Sequence, residues 1–269
     1  MKSAPPWPRS VIHRLREPDV ERVNFATRSV QIAFLAVLGG AWWFAAETGS
    51  VSRLFLPPPR AVYAAAERLV QTQAFWSAVL VTLTTIAKAF IFAALGGILA
   101  GYLITRSKLA TQVIEPVISG LFTIPITLFF PMFILFFGIG TGSKVAYGAT
   151  YAFFPVALNT IAAFSNMDER FLRAAKSMGA GSFETFRHVL LPGALPVLMT
   201  GLRIAFFICF ASVLGGETIS SVAGIGRNIA HAAELMESAR MYAWIFFVIC
   251  TSVTLNLVVY GIENRMRER

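Results

Sequence analysis

Residues that commonly carry catalysis are scattered in this sequence. The three histidines, His13, His188 and His231, lie in separate segments. General acid–base catalysis or a zinc site would need such residues beside a carboxylate, a cysteine or a second histidine at a suitable spacing. No paired-carboxylate or cysteine–histidine spacing of that kind occurs. The sequence therefore predicts no catalytic residues and no metal site.

A glycine-rich stretch, Gly138-Ile139-Gly140-Thr141-Gly142-Ser143-Lys144, superficially resembles a phosphate-binding loop. The order Gly-Lys-Ser/Thr is absent and no strand pattern precedes it, although both belong to such loops. We interpret the stretch as a tight turn between two apolar runs, with nucleotide binding as the alternative. The sequence thus predicts no cofactor bound by this chain.

Three ionisable residues, Lys88, Arg203 and Glu217, interrupt long apolar runs. Inside a membrane each would be costly and would mark a functional site by default. Each also has a structural explanation. Lys88 is placed near the outer third of its run, where its stem can extend to the surface, and Arg203 can pair within a helix bundle. Glu217, shortly before Gly224-Ile225-Gly226, suits either an outer gate or a structural hydrogen-bonded acid.

The composition predicts that a lipid bilayer surrounds most of the chain. Apolar residues make up 56% and charged residues 14% of the sequence, and the mean hydropathy is +0.66. Soluble domains carry about 25% charged residues. The net charge of +9 arises from clumps between apolar runs, without an aromatic-interleaved basic face, so we expect membrane lipid and not nucleic acid as a partner.

Six segments are apolar over about 20 residues, the length that spans the hydrocarbon as a helix. They are Val30 to Ala46, Val79 to Ile104, Pro116 to Phe137, Val145 to Phe164, Leu195 to Gly215 and Met241 to Ile262. The predicted fold class is therefore all-α, a polytopic integral membrane protein with six transmembrane helices. The first run follows a polar tail, so we expect a retained helix and not a cleaved signal peptide.

Prolines and small residues distinguish two of these spans. In the third span, Pro125 and Pro131 release backbone carbonyls, which predicts a kink near a transport pathway. With Arg203 and Glu217 they form the predicted pathway or gate set. In the second span, Ala93, Gly97 and Gly101 recur every four residues, a spacing that lets helix backbones approach closely.

The distribution of Lys and Arg predicts the orientation, because positively charged loops tend to stay cytoplasmic. One side would hold fifteen of them and the other six. The first set is Lys2, Arg9, Arg14, Arg16, Arg22, Arg28, Arg106, Lys108, Arg170, Arg173, Lys176, Arg187, Arg265, Arg267 and Arg269; the second is Arg53, Arg60, Arg68, Lys144, Arg227 and Arg240. Both termini are therefore predicted to be cytoplasmic.

The chain is predicted to consist of three parts. Residues 1–28 form a cytoplasmic tail, residues 29–74 the first transmembrane helix and an extracytoplasmic linker, and residues 75–269 the functional core. The linker contains Pro57-Pro58-Pro59, a stiff extended stretch, followed by a surface helix over Arg60 to Gln73.

The loop between spans four and five, residues 166–195, carries two helix patterns. Asp168 is a good N-cap and Gly179 suits a C-terminal turn, so a short helix should end there. Ser182 can cap a second short helix before Pro192 and Pro196 lead into span five. A soluble partner could bury the first helix on the apolar or small residues Leu172, Ala174, Ala175 and Met178; a helix lying on lipid headgroups is the alternative.

The stretch Arg173-Ala174-Ala175-Lys176-Ser177-Met178-Gly179, followed after nine residues by Val189-Leu190-Leu191-Pro192, resembles the EAA signature of ABC importer permeases. That signature reads Glu-Ala-Ala, three residues, Gly, nine residues, Ile, one residue, Leu-Pro. The runs 189–196 and 216–220 are similar to the nitrate, sulfonate, taurine and bicarbonate branch. Arg173 departs from the signature's Glu, which leaves the effect on partner selection open.

The resemblance implies the type I permease fold and a coupling loop that contacts a separate cytoplasmic ATP-binding-cassette ATPase. By resemblance the contact involves Arg173, Ala174, Ala175, Met178, Gly179, Leu191 and Pro192. The chain would not be an enzyme, because the ATPase binds and hydrolyses the ATP.

The same resemblance implies an extracytoplasmic solute-binding protein, a second copy of the chain and a bacterial cytoplasmic (inner) membrane. The solute would be small and polar, such as a sulfonate, nitrate or a vitamin precursor. A gradient-driven secondary transporter or channel is the alternative function. The motif in the 166–195 loop favours the ATPase-driven importer over this alternative. A membrane anchor or sensor would need a signalling domain that this length does not contain.

Overall fold

The computed structural model describes the backbone of residues 17–267 and the side chains of residues 27 and 29–261. Every regular element in this part of the chain is helical, as predicted. The helices are α1 (Glu17–Glu47), α2 (Pro59–Val70), α3 (Gln73–Thr105), α4 (Lys108–Thr123), a 3-10 turn (Ile126–Phe129), α5 (Phe130–Phe137), α6 (Thr141–Ser165), α7 (Glu169–Ser177), α8 (Ser182–Ile219), α9 (Ile225–Glu234) and α10 (Ser238–Arg267).

The chain divides into two compact units between Tyr63 and Ala64. The first unit contains α1, which begins at Glu17 and so extends into the predicted tail; residues 1–16 of that tail lie outside the described part. Trp42 donates from its indole nitrogen to the carbonyl of Pro57 at 3.1 Å, which connects α1 to the proline stretch. The predicted surface helix is present as α2.

The core of the second unit is α6, against which α3 and α8 pack. A Cβ added at Gly97 would lie 2.6 Å from Cβ of Val156, and one added at Gly101 would lie 2.6 Å from Cβ of Thr160. These glycines allow α3 and α6 to approach closely, so the predicted packing role is confirmed. Ile86, Val156 and Val213, one from each helix, are fully buried where the three helices meet.

The third predicted span is not one continuous helix. It is broken into Lys108–Thr123 and Ile126–Phe137, which are bent by 77°. Pro125 lies at the break, and a residue before proline avoids the helical region, so Ile124 adopts an extended conformation with ψ of 129°. The described residues thus contain five helices long and apolar enough to span a membrane, or six if the bent pair is one span.

The prediction of a separate second helix in the 166–195 loop is wrong. From Ser182 the chain continues as one helix to Ile219, with a π turn over Phe186–Leu190. Pro192 has no N–H to donate to a carbonyl four residues earlier, and the amide of Leu191 bonds instead to Phe186, five residues back. The N-cap is also Gly181 and not Ser182, since the Glu184 carboxyl accepts the Gly181 amide at 2.9 Å.

Candidate coupling surface and buried polar cluster

The short helix α7 is fixed at both ends as predicted. Asp168 Oδ1 accepts a hydrogen bond from the amide of Arg170 at 2.9 Å, so it caps the helix start. Gly179 has φ of +78°, and the amide of Ala180 donates to the carbonyl of Ala175 at 3.0 Å. This is the hydrogen-bond pattern of a glycine C-cap, which ends the helix with a defined change of direction.

An apolar surface lies exposed on this loop. Phe171, Met178 and Phe183 are 61%, 80% and 72% exposed, although large apolar side chains normally find cover. Ala174 is exposed beside them. Sequence reasoning did not assign Phe171 or Phe183 to the partner contact; Phe171 precedes Met178 by seven residues, two helical turns, and that spacing could have revealed it. We call Phe171, Ala174, Met178 and Phe183 the loop surface.

The other predicted coupling residues fall into two groups. Arg173, Gly179, Leu191 and Pro192 are exposed, so a partner could reach them. Ala175 is only 2% exposed and Leu172 is half-buried. Because the chain itself covers Ala175, that methyl group supports the loop from within and is not free to contact a partner.

Aromatic side chains connect the loop to the spans. The ring of Phe186, in the π turn of α8, lies 5.4 Å from the ring of Tyr102 at the end of α3. It also stacks with Phe164 of α6 at 6.4 Å, and the Tyr102 and Phe164 rings lie 5.2 Å apart. Aromatic pairs at these distances stabilise the packing of the helices that carry them. We call Tyr102, Phe164 and Phe186 the aromatic joint.

A second polar arrangement lies at the other end of α8, around Glu217. This side chain is 2% exposed and accepts from Thr82 Oγ1 at 2.9 and 3.0 Å and from the amide of Gly226 at 2.9 Å. Thr82 in turn accepts from the amide of Ile225 at 2.8 Å. The cluster therefore joins α3, α8 and the start of α9. This is the hydrogen-bonded environment expected of a structural acid; the gate role of Glu217 stays a prediction.

Lys144 was placed in an outer loop by sequence reasoning, and that assignment is wrong. The glycine turn is present, with φ of +76° at Gly138, but α6 begins at Thr141 and buries Lys144 in its first turn. The ammonium donates to the carbonyls of Ile139 and Gly140, the latter at 3.1 Å. These carbonyls replace water as its ligands.

The predicted pathway residues lie in different surroundings. Pro125 lies at the break in span three and Pro131 in the first turn of α5. Arg203 is half-buried and donates to Asn256 Oδ1 of α10 at 3.2 Å, which agrees with a packing role. Glu217 belongs to the buried cluster. A cavity of about 320 Å³ lies beside the break, and its lining includes Ile124, Phe133 and Phe154.

Comparison with known proteins decides the family. Residues 93–268 match the family model described as the inner membrane component of binding-protein-dependent transport systems. The chain belongs to this family. The match includes the 166–195 loop and Glu217 but begins after Thr82 and Lys88.

Curated permeases of this family are similar in sequence to this protein along most of its length. The taurine transport system permease protein TauC of Escherichia coli is 30% identical over 243 residues, covering 88% of each chain. The putative aliphatic sulfonates permease SsuC of Bacillus subtilis is 27% identical over 231 residues, covering 86% of this chain and 84% of that protein. In structure, the MetNI methionine ABC transporter matches with a TM-score of 0.61 at 18% identity, over 70% of this chain and 94% of that one.

The chain is therefore the membrane-spanning permease subunit of an ABC importer, a multi-pass protein of the bacterial inner membrane. Such a permease works with an ATPase and a solute-binding protein. The gradient-driven alternative is set aside. Within the residues that the structure describes, no group of three histidine, cysteine or acidic side chains could hold a metal ion.

Proposed function

We propose that this permease imports a small organic sulfonate and that its loop surface is where the cytoplasmic ATPase drives it. The observation that carries the coupling proposal is an apolar surface left uncovered on a loop whose both ends are fixed by hydrogen bonds. A rigid loop gripped by a moving partner transmits that movement to the spans, because it cannot absorb the displacement itself. Arg173, Gly179, Leu191 and Pro192 would lie at the margin of the contact.

The sulfonate proposal rests on relatives named for taurine and for aliphatic sulfonates. Nitrate or a vitamin precursor is the alternative solute, because relatives named for nitrate and riboflavin also match, at lower identity. The proposal includes ATP bound by the ATPase alone, a second copy of this chain completing the pathway, and both termini in the cytoplasm. The charge distribution of the loops supports the last of these.

The coupling proposal is tested by Met178→Asp. The side chain is exposed, so the substitution does not disturb packing within the chain, but in a contact it would bury an unpaired charge. We expect at least about tenfold less ATPase to co-purify, which corresponds to about 1.4 kcal/mol of binding free energy. The measurement is purification of the tagged chain in mild detergent from its native host, with mass spectrometry of the partners and uptake of labelled taurine and labelled nitrate in the same cells.

Met236→Asp is the matched control. Met236 is also an exposed methionine in a turn, but the predicted topology places it outside the cell. Met236→Asp should leave ATPase recovery unchanged. Equal recovery from both variants and the wild type would show that the loop surface is not the contact with the ATPase.

The proposed homodimer is tested separately. A second copy of the chain with a different tag, co-expressed in the same cells, should co-purify with the first.

A further inference from the structure

The ammonium group of Lys88 lies halfway along α3. The helix runs from Gln73 to Thr105, so Lys88 is about 22 Å from its start and about 26 Å from its end at 1.5 Å per residue. Trp76, an exposed aromatic residue of the type found at membrane interfaces, is twelve residues away, about 18 Å along the axis. This depth exceeds the reach of a lysine side chain, so the predicted extension of Lys88 to the outer surface does not fit the helix.

Two other cations in the spans have ligands within the chain. Lys144 donates to backbone carbonyls and Arg203 to Asn256. Among the described residues Lys88 makes no hydrogen bond or ion pair, and its side chain is exposed. An uncompensated charge facing lipid at this depth costs several kcal/mol, about 2.5 to 3.5 on insertion scales. The face of α3 that carries Lys88 is therefore expected to face water or a polar ligand.

Lys88 opens onto a groove between α3, α5 and the first half of α6. The groove has a volume of about 530 Å³, within the range that accepts small molecules. Phe92, Phe133 and Phe137 form apolar walls, and Thr141 and Thr150 contribute hydroxyl-bearing side chains. Of the described residues lining the groove, Lys88 is the one ionisable side chain.

We infer that Lys88 lies in the solute pathway, where its ammonium binds the anionic head group of the solute while the groove's aromatic walls contact the alkyl part. The inference rests on the proposed import of a sulfonate, whose charged oxygens and short carbon chain match this combination of one cation and apolar walls. A lysine is a point charge with three donors, so it binds and releases such a group without the bidentate geometry of an arginine. Release is needed in a pathway.

Water access is the first test, and it needs no transport. In a Cys250→Ser background of the complete importer, Lys88→Cys is compared with Ala87→Cys, an exposed position at nearly the same depth that lies about 100° around the helix and does not line the groove. We expect a negatively charged, membrane-impermeant thiol reagent, applied to membrane vesicles open to both sides, to modify Lys88→Cys at least about tenfold faster. Taurine should slow that reaction. Equal, slow modification of both cysteines would overturn the pathway position.

Transport is the second test. Lys88→Met removes the charge at similar length, and we expect at least about tenfold slower uptake of labelled taurine with unchanged ATPase recovery. Lys88→Arg, which keeps the charge, should retain most of the uptake. Full uptake by Lys88→Met would overturn the inference. If the wild type takes up no taurine, the sulfonate proposal fails, while the cysteine reactivity still decides whether Lys88 faces water.

An anionic lipid offers the same phosphate or sulfonate-like oxygens as a solute. To distinguish a lipid ligand from a solute ligand, wild-type, Lys88→Met and Lys88→Cys importers are reconstituted in phosphatidylcholine alone or with phosphatidylglycerol. We expect the charge dependence of uptake and the protection by taurine to persist in phosphatidylcholine alone. Protection by phosphatidylglycerol in place of taurine would assign Lys88 to a lipid and overturn the inference.

Discussion

Two side chains, Thr82 and Glu217, join three helices by hydrogen bonds inside the membrane. The Thr82 hydroxyl donates a hydrogen bond to the Glu217 carboxyl and accepts one from the amide of Ile225. A single hydroxyl group therefore provides a donor for the acid and an acceptor for the first amide of α9. Gly224 and Gly226 permit this, because a Cβ at either would lie within 2.6 Å of the Glu217 side chain. Without Thr82, both neighbours would lose a partner in surroundings without water.

Thr82→Val tests this cluster, since valine keeps the shape and removes the hydroxyl. The substitution leaves the buried amide of Ile225 without its acceptor and removes one of the two donors to Glu217, which keeps the amide of Gly226. A buried donor without a partner costs about 1–3 kcal/mol, so we expect a lower midpoint of thermal unfolding in detergent. Thr84→Val is the control: Thr84 is exposed and its hydroxyl bonds only to carbonyls of its own helix, those of Leu80 and Val81. An equal effect of the two substitutions would argue against the cluster as a stabilising contact.

At the scale of elements, the helix α8 connects the cytoplasmic loop to the buried cluster without interruption. It begins at Ser182 beside the loop surface, contains the π turn at Phe186–Leu190, and carries Glu217 near its far end. The aromatic joint attaches its first turns to α3 and α6. A displacement of the loop therefore acts on three spanning helices together.

Phe186→Ala tests the aromatic joint as the connection between loop and spans. Truncating the ring removes contacts with Tyr102 and Phe164, worth about 0.5–1.5 kcal/mol each beyond burial. We expect ATPase to co-purify normally while taurine uptake per ATP hydrolysed falls several-fold, measured on the reconstituted importer. Phe186→Tyr keeps the ring and should retain coupling. A parallel loss of uptake and ATPase recovery would instead assign Phe186 to the docking contact.

At the scale of the whole molecule, the number of crossings depends on the bent pair Lys108–Thr123 and Ile126–Phe137. If the pair crosses the membrane, six spans place both termini on one side. If it re-enters, five spans place them on opposite sides. The positive loops favour six, because a fivefold crossing would send either the basic tail or the basic C-terminus outside.

Reporter fusions decide this. We expect a fluorescent protein that matures only in the cytoplasm to be bright when fused after Arg269, and an alkaline phosphatase that is active only outside to be active when inserted after Gly140. A dark C-terminal fusion with normal protein abundance would show that the bent pair does not cross. A fusion after Lys2 serves as the reference for the other terminus.

Much of this permease follows from its sequence alone, because the determinants are local. Apolar length predicted the spans other than the broken third one. The cap at Asp168 and the turn at Gly179 follow from side-chain and backbone preferences that act within one helical turn. The spacing of Gly97 and Gly101 predicted close packing for the same reason. The resemblance in the 166–195 loop likewise depends on a linear pattern.

Only the tertiary structure decided the rest, because those features depend on residues far apart in the chain. Thr82 and Glu217 are 135 positions apart, and no local pattern pairs them. The inward position of Ala175 and the burial of Lys144 depend on how helices pack, which a charge count or a signature does not contain. The same holds for Lys88: its type and depth can be read from the sequence, but the groove it faces exists only once α3, α5 and α6 have assembled.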